Sequence, residues 1–293
     1  MIEEEFRSKT ANMGVDVVSV ATGFHRGGSI SFVHPFNGNT SQFFDNGSEF
    51  CEGLAAVELS TGRWCHINID LKPAYTVRYD WVGDFHQGLA PASLDNDMFH
   101  IFRNGKIAYK RRYNYVGPFC EGMAVAQNKL KQWHHISPNG KPVYSKRYFE
   151  ISHFSEGVAV VQAEFESMYY YIDHTGSPIG FGHFQQARPF AEGLSAVKLV
   201  DGRAFHIDHG GKKVYRSVFY EVGDFHENLA PASLLQGLNG DARTEHFHIN
   251  RFGKRAYQES YELVHHFNQG VAMVRNFSRK MGYIDYQGHK IKR

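Results

Sequence analysis

The chain has 293 residues, 42% hydrophobic and 21% charged, a folding composition rather than a disordered one and long enough to bury a large core. Its 32 Lys+Arg nearly balance 30 Asp+Glu, and a net charge of +2 gives no reason to expect nucleic acid or an anionic membrane as the main partner. Aromatic residues at 15% and 29 glycines beside 9 prolines favour strands and tight turns.

Taken in chain order, the start, Met1-Ile2-Glu3-Glu4-Glu5, is acidic with no apolar core behind it, unlike a secretory leader. No stretch reaches the roughly 18 apolar residues of a membrane span. Cys51, Cys65 and Cys120 form neither a disulfide framework nor a metal-ligand spacing, so a cytoplasmic location is the simplest expectation. Residues 14–20 and 29–33 read as two strands, with a turn at Asn37-Gly38.

From Phe50 onward a motif, Phe-x-[Glu/Gln]-Gly-apolar-[Ala/Ser], recurs at Phe85, Phe119, Phe154, Phe190, Phe225 and Phe267. Its glycine position falls at 53, 88, 122, 157, 193, 228 and 270, with Asn228 the one exception to glycine. The steps are 35, 34, 35, 36, 35 and 42 residues. After each motif comes an apolar run such as 54–59. A second run ends in His66-Ile67, His100-Ile101, His135-Ile136, Tyr171-Ile172, His206-Ile207, His248-Ile249 or Tyr283-Ile284. A glycine turn follows, often with Lys after it, and then a third run that holds Tyr75, Tyr109, Tyr144, Tyr215 or Tyr257. Short apolar runs between closely spaced glycine turns are antiparallel strands, and no 3.6-residue period survives over a useful length.

The expected fold is all-β: eight β-meander repeats of about 35 residues in a single domain, 1–293. The repeats run 14–52, 53–87, 88–121, 122–156, 157–192, 193–227, 228–269 and 270–293. The last is short and lacks its closing strand, which residues 1–13 would complete. This favours a closed propeller-like ring, with an open β-solenoid as the alternative. A longer period overlies the first: residues 82–94 nearly repeat as 222–234, 140 residues on.

The pattern resembles the WG-repeat family of bacterial proteins, whose units pass through Phe-x-Glu-Gly-Leu-Ala-x-Val and Trp-Gly-Tyr-Ile-Asp to a Gly-Lys turn and a Tyr. The likeness runs from residue 53 to 293. It departs at the naming dipeptide: only Met281-Gly282-Tyr283-Ile284-Asp285 keeps Gly-Tyr-Ile-Asp, where other repeats read Trp64-Cys65-His66-Ile67 or Trp133-His134-His135-Ile136. The resemblance implies repeat architecture and interaction modules, not a reaction.

Among 18 histidines, His66, His100, His135, His206 and His248 share one repeat position. As ligands facing a channel they would bind a metal. As repeat residues they share with Tyr171 and Tyr283 a polar tip on a flat body that bonds a neighbouring strand, and this is the favoured reading. Asp84 with His86, and Asp224 with His226, are candidate acid–base or binding pairs. The repeated Glu52, Glu121, Glu156, Glu192 and Glu227 read as groups that satisfy backbone N–H donors at turns. Lys110-Arg111-Arg112 reads as a solvated strand edge. Residues 235–245 account for most of the 42-residue step, and an inserted loop there, with Asn239, Asp241 and Arg243, is a candidate binding element. The expected function is a non-catalytic binding or scaffolding module presenting repeat loops to a protein partner, with no cofactor. The alternatives are a metal protein or enzyme using channel-facing histidines, and a carbohydrate binder built on aromatics such as Tyr169-Tyr170-Tyr171, Trp64 and Trp133.

Overall fold

The apolar runs and glycine turns resolve, in a computed structural model, into a succession of small antiparallel sheets; residues 21–24, 30–33, 41–237 and 243–291 are described. None of the described residues is helical. The segment 1–13 assigned to ring closure, the strand 14–20, the turn at Asn37-Gly38, and Asn239 and Asp241 lie outside the described residues. The described chain divides into two compact halves, 21–131 with 135–142, and 132–134 with 143–291.

Ala21–Phe24 and Ile30–Val33 form a hairpin. The meanders of the first half begin with Asn46–Gly47, Leu54–Glu58 and Trp64–Asn68, followed by Trp81–Val82, Leu89–Leu94 and Asp97–Phe102. Tyr115–Cys120, Met123–Gln127 and Trp133–Ile136 come next, and the chain passes into the second half there. The second half has Glu150–Ile151, Ala159–Gln162, Tyr169–Ile172 and Pro178–Phe184; Gln186–Ala187, Ser195–Lys198 and Ala204–Ile207; and Glu221–Val222, Leu229–Gln236 and Arg243–Asn250. Leu263–Asn268, Val271–Arg275, Met281–Ile284 and Lys290–Ile291 complete it. Each sheet thus starts a few residues before the glycine that marks the repeat in the sequence. Lys290–Ile291 pair with Tyr283 and Ile284, so the final repeat, expected to lack a closing strand, carries the beginning of one.

The second and third strands are nearly unbroken buried runs, with Leu54, Ala55, Ala56 and Val57 all buried in Leu54–Glu58 and Tyr170, Tyr171 and Ile172 in Tyr169–Ile172, which is the pattern of sheets covered on both faces. Phe85, Phe99, Ile67 and Ile101 lie in the core of the first half; Phe225, Phe247, Phe267 and Ile249 lie in that of the second.

Two repeated contacts join consecutive sheets. The Phe-x-Glu-Gly segment is a two-residue hairpin with positive φ at both central positions, 51° at Glu52 and 74° at Gly53, the backbone of a type I′ turn. Its carboxylate reaches the next hairpin. Glu52 accepts from the backbone N–H of Gln87 and Gly88 (2.6 and 3.0 Å), Glu192 from Glu227 and Asn228, and Glu227 from Gln269 and Gly270. Turn donors that would otherwise lack a partner are satisfied by a charged acceptor. The second contact sets a glycine on an aromatic face. A β-carbon on Gly105 would stand 2.5 Å from the Tyr75 ring, and one on Gly140 2.3 Å from Tyr109; Gly176 on Tyr144, Gly253 on Tyr215 and Gly288 on Tyr257 repeat the arrangement. Only glycine lets the backbone approach so closely.

The described part of the long step in the seventh repeat is mostly strand. Leu229–Gln236 and Arg243–Asn250 pair along their whole length, out to Gln236 with Arg243, so Leu235, Gln236 and residues 243–245 of the expected loop extend a hairpin.

Candidate functional site

The histidines expected at one repeat position are part of the fold. His66, His100, His135, His206 and His248 are fully buried. In His66, His100, His206 and His248, Nδ1 lies 2.5–2.6 Å from the hydroxyl of Tyr75, Tyr109, Tyr215 or Tyr257, nine residues on. Nε2 lies 2.8–2.9 Å from the carbonyl of Gly83, Gly117, Gly223 or His265, in the first strand region of the next sheet. A carbonyl only accepts, so Nε2 carries the proton and the Nδ1 lone pair receives the tyrosine hydroxyl. Each of these rings also lies 4.6 Å, centroid to centroid, from the next motif phenylalanine. Burial pushes all four pKa values down to about 4, so the rings are neutral at pH 7. Tyr171 shows why the position alternates: its hydroxyl donates to the Arg188 carbonyl, the place taken by Gly223 for His206. A metal would have to displace a tyrosine from each ring, and among the described residues no three His, Cys, Asp or Glu side chains converge on one ion.

Asp84 and His86 part company. Asp84 accepts from the hydroxyl of Ser48 in the preceding sheet, while His86 is exposed at the hairpin, where its backbone pairs with Leu89. Asp224 meets Arg188 at 3.3 Å, and the exposed His226 ring lies 4.5 Å from that of His266. Arg243 stands 3.3 Å over the Phe277 ring. Arg112, expected at a solvated edge, caps the carbonyls of Tyr109, Lys110 and Arg111 and lies 4.5 Å over Phe99; Arg78 and Arg147 cap Tyr75 and Tyr144 in the same way. Of the aromatics considered for a sugar platform, Tyr170 and Tyr171 are buried, and Trp64 and Trp133 pair into the sheets through Tyr79 and Tyr148.

What these residues leave open is a cleft of about 310 Å³ in the second half, which the sequence did not single out. It runs across the first strands of three consecutive sheets, through Gln186, Glu221 and Leu263. Its apolar lining includes Val222, Gly223 and Pro231, and its polar lining Arg188, Lys198, Glu221, His246 and His266 with the buried Ser233. Glu221, Ser233 and His246 lie directly opposite one another on three adjacent strands and so share a face. Ser233 is 1% exposed and its Oγ has no hydrogen-bond partner, so the row is no nucleophile–base relay. Burial lowers the His246 pKa against the opposing charge of Glu221, and burial with the neighbouring His226 lowers that of His266. A larger cleft of about 550 Å³ in the first half is lined by Gln42, Phe44, Leu59 and Leu71 among others.

Sheets of this size and order, joined face to face by histidine struts and carboxylate-capped hairpins, define a propeller-like β-repeat protein. The model of the WG containing repeat matches residues 67–96, 103–130 and 136–164, which supports the likeness to WG-repeat proteins over that part of the chain. A search of the curated proteins finds no match to the sequence. Among solved structures the fold is similar to a eukaryotic initiation factor (TM-score 0.59, 10% identity, 96% of this chain and 88% of the other). It is also similar to the computationally designed Ika8 protein (TM-score 0.52, 12% identity, 90% and 92%). At such identities the likeness concerns the fold alone.

Proposed function

We propose that this protein is a non-catalytic binding module whose docking place for a protein partner is the cleft across Gln186, Glu221 and Leu263. One observation carries the reading. The chemistry-bearing residues common to all repeats are occupied in holding sheets together, whereas the row Glu221, Ser233, His246 has diverged from the row that occupies the same strand positions in the first half, Trp81, Ser93, Met98. A repeat position that keeps its side-chain type serves the repeat. One that changes from apolar to polar while opening a cleft serves something outside it. The polar lining carries both charge signs, with Arg188 and Lys198 against Glu221, which suits the mixed chemistry of a polypeptide better than a uniformly charged ligand.

Selection of a displayed random-peptide library on the intact protein tests this. Enriched peptides should bind wild type and lose binding to Arg188→Ala and Lys198→Ala, while Lys129→Ala, which removes a surface pair with Asp97 in the other half, leaves them bound. Peptides equally insensitive to all three would overturn the cleft as the docking place, and none enriched while a glycan array lights up would displace the protein-partner reading in favour of the sugar one.

A further inference from the structure

The near-duplicate stretches 82–94 and 222–234 permit an internal comparison of the cleft with its counterpart. In the first half the indole of Trp81 lies on the bare α-carbon of Gly83 beside the Pro91 ring. A β-carbon added to Gly83 would stand 2.8 Å from Cη2 of Trp81 and 2.9 Å from Cγ of Pro91. In the second half Gly223 and Pro231 repeat the seat, but Glu221 stands where Trp81 does. A β-carbon on Gly223 would meet Pro231 Cγ at 3.1 Å and Cδ at 3.3 Å, with Cε1 of His266 next at 3.6 Å and no ring of residue 221 against it. One copy fills its seat with its own aromatic ring; the other leaves it as part of an open cleft.

We propose that this cleft takes an indole, the side chain of a tryptophan on the bound polypeptide, seated on Gly223 and Pro231 as Trp81 is seated on Gly83 and Pro91. The inference rests on the protein-partner reading above and names what the partner presents. Two features favour indole over an unsubstituted phenyl ring. Ser233, buried with an unbonded hydroxyl, and the carboxylate of Glu221 opposite it offer acceptors to a ring N–H. Their equivalents in the filled copy are Ser93 and Trp81 itself, so the polar group at 221 appears where the built-in ring is gone. At about 310 Å³ the cleft is at the small end of ligand sites, roughly 300–1,000 Å³, and suits a single anchoring side chain rather than a large molecule.

The experiment titrates N-acetyl-L-tryptophanamide into the full-length protein, followed by amide chemical shifts. Saturable one-to-one binding is expected, with shifts at Val222, Gly223 and Ala232. N-acetyl-L-phenylalaninamide should bind several-fold more weakly. Glu221→Trp installs the built-in ring of the other half and should weaken binding by about tenfold or more. Trp81→Glu vacates the first-half seat and should raise the stoichiometry to two. Ser233→Ala, a minimal change, should cost several-fold in affinity and decides the matter if Glu221→Trp does not fold. No saturation in wild type, or saturation unaltered by Glu221→Trp and Ser233→Ala, overturns the proposal. Enriched peptides without tryptophan that still depend on Arg188 would sink the indole and keep the protein partner. Binding of the amide with no peptide ever selected would keep the indole seat, assign it to a free aromatic compound and sink the protein partner.

Discussion

Lowering the pH from 7 to 5 should unfold this protein through its buried histidines, before most carboxylates titrate. His66, His100, His206 and His248 have pKa values near 4 in the folded protein, against 6.5 for an ordinary histidine. The folded value is depressed, so the unfolded chain binds protons first as the pH falls. The stability these rings contribute is complete above about pH 6.5 and is lost progressively between about 6.5 and 4. At pH 5 each ring accounts for a loss of about 2 kcal/mol, so four together approach about 8 kcal/mol, comparable with the whole stability of an ordinary domain, about 5–15 kcal/mol. Urea unfolding followed by far-ultraviolet circular dichroism at pH 7.5, 6.5, 5.5 and 5.0 measures it, as a steady fall of the midpoint. Replacing one ring, His206→Gln, should lower stability at pH 7.5 and flatten the pH dependence by about a quarter of the four-ring effect. Imidazole C2 proton resonances of these four rings that titrate near 6.5 would refute the reasoning. So would a urea midpoint unchanged down to pH 5.

The close glycine approach predicts a matched pair: Gly105→Ala adds a methyl 2.5 Å from the Tyr75 ring, while Gly62→Ala, at nearly the same φ (74° and 72°), meets nothing within 4 Å. Gly62→Ala should cost only the left-handed backbone penalty, about 1–2 kcal/mol, and Gly105→Ala a further 1–3 kcal/mol or so for overpacking, read from thermal or urea midpoints; equal losses would contradict the ring contact. Glu192→Ala strips both acceptors from the Glu227-Asn228 turn and should destabilise by about 1–3 kcal/mol, with Glu192→Gln recovering part of it, as measured by urea unfolding. His206→Ala leaves the Tyr215 hydroxyl and the Gly223 carbonyl unpaired in the core and should cost about 3–5 kcal/mol by the same measurement, more than the exposed His226→Ala, which should fall within about 0.5 kcal/mol of wild type.

Much of the architecture was legible because each repeat must solve the same local problem. A two-residue turn with positive φ favours Gly or Asn at its second position, and seven copies of Glu or Gln followed by Gly, or once by Asn228, at near-constant spacing announce the strands without reference to anything distant. The shared roles of histidine and tyrosine at one position, and of the motif glutamates at turns, were readable for the same reason: a residue type repeated in phase serves the contact that is repeated. Arg112 was misplaced because a basic side chain in a charged run gives no sign that it will fold back on three carbonyls. The pairing of Leu235 with Thr244 and of Gln236 with Arg243 was hidden in the sequence because Gly237 and Gly240 mark the stretch 235–245 as loop, and cross-strand register is not written in local residue choice.

Composition, periodicity and the 140-residue duplication determined the strands, the turns and the structural use of most polar repeat residues, since those depend on neighbours close in sequence. Only the tertiary structure decided which of the divergent positions matter. Glu221, Ser233 and His246 are 12 and 13 residues apart in sequence and become one row only when three strands align, and the cleft they border exists only because three sheets bring Gln186, Glu221 and Leu263 to the same place. Space left by a missing indole has no letter in the sequence; it is defined by what surrounds it.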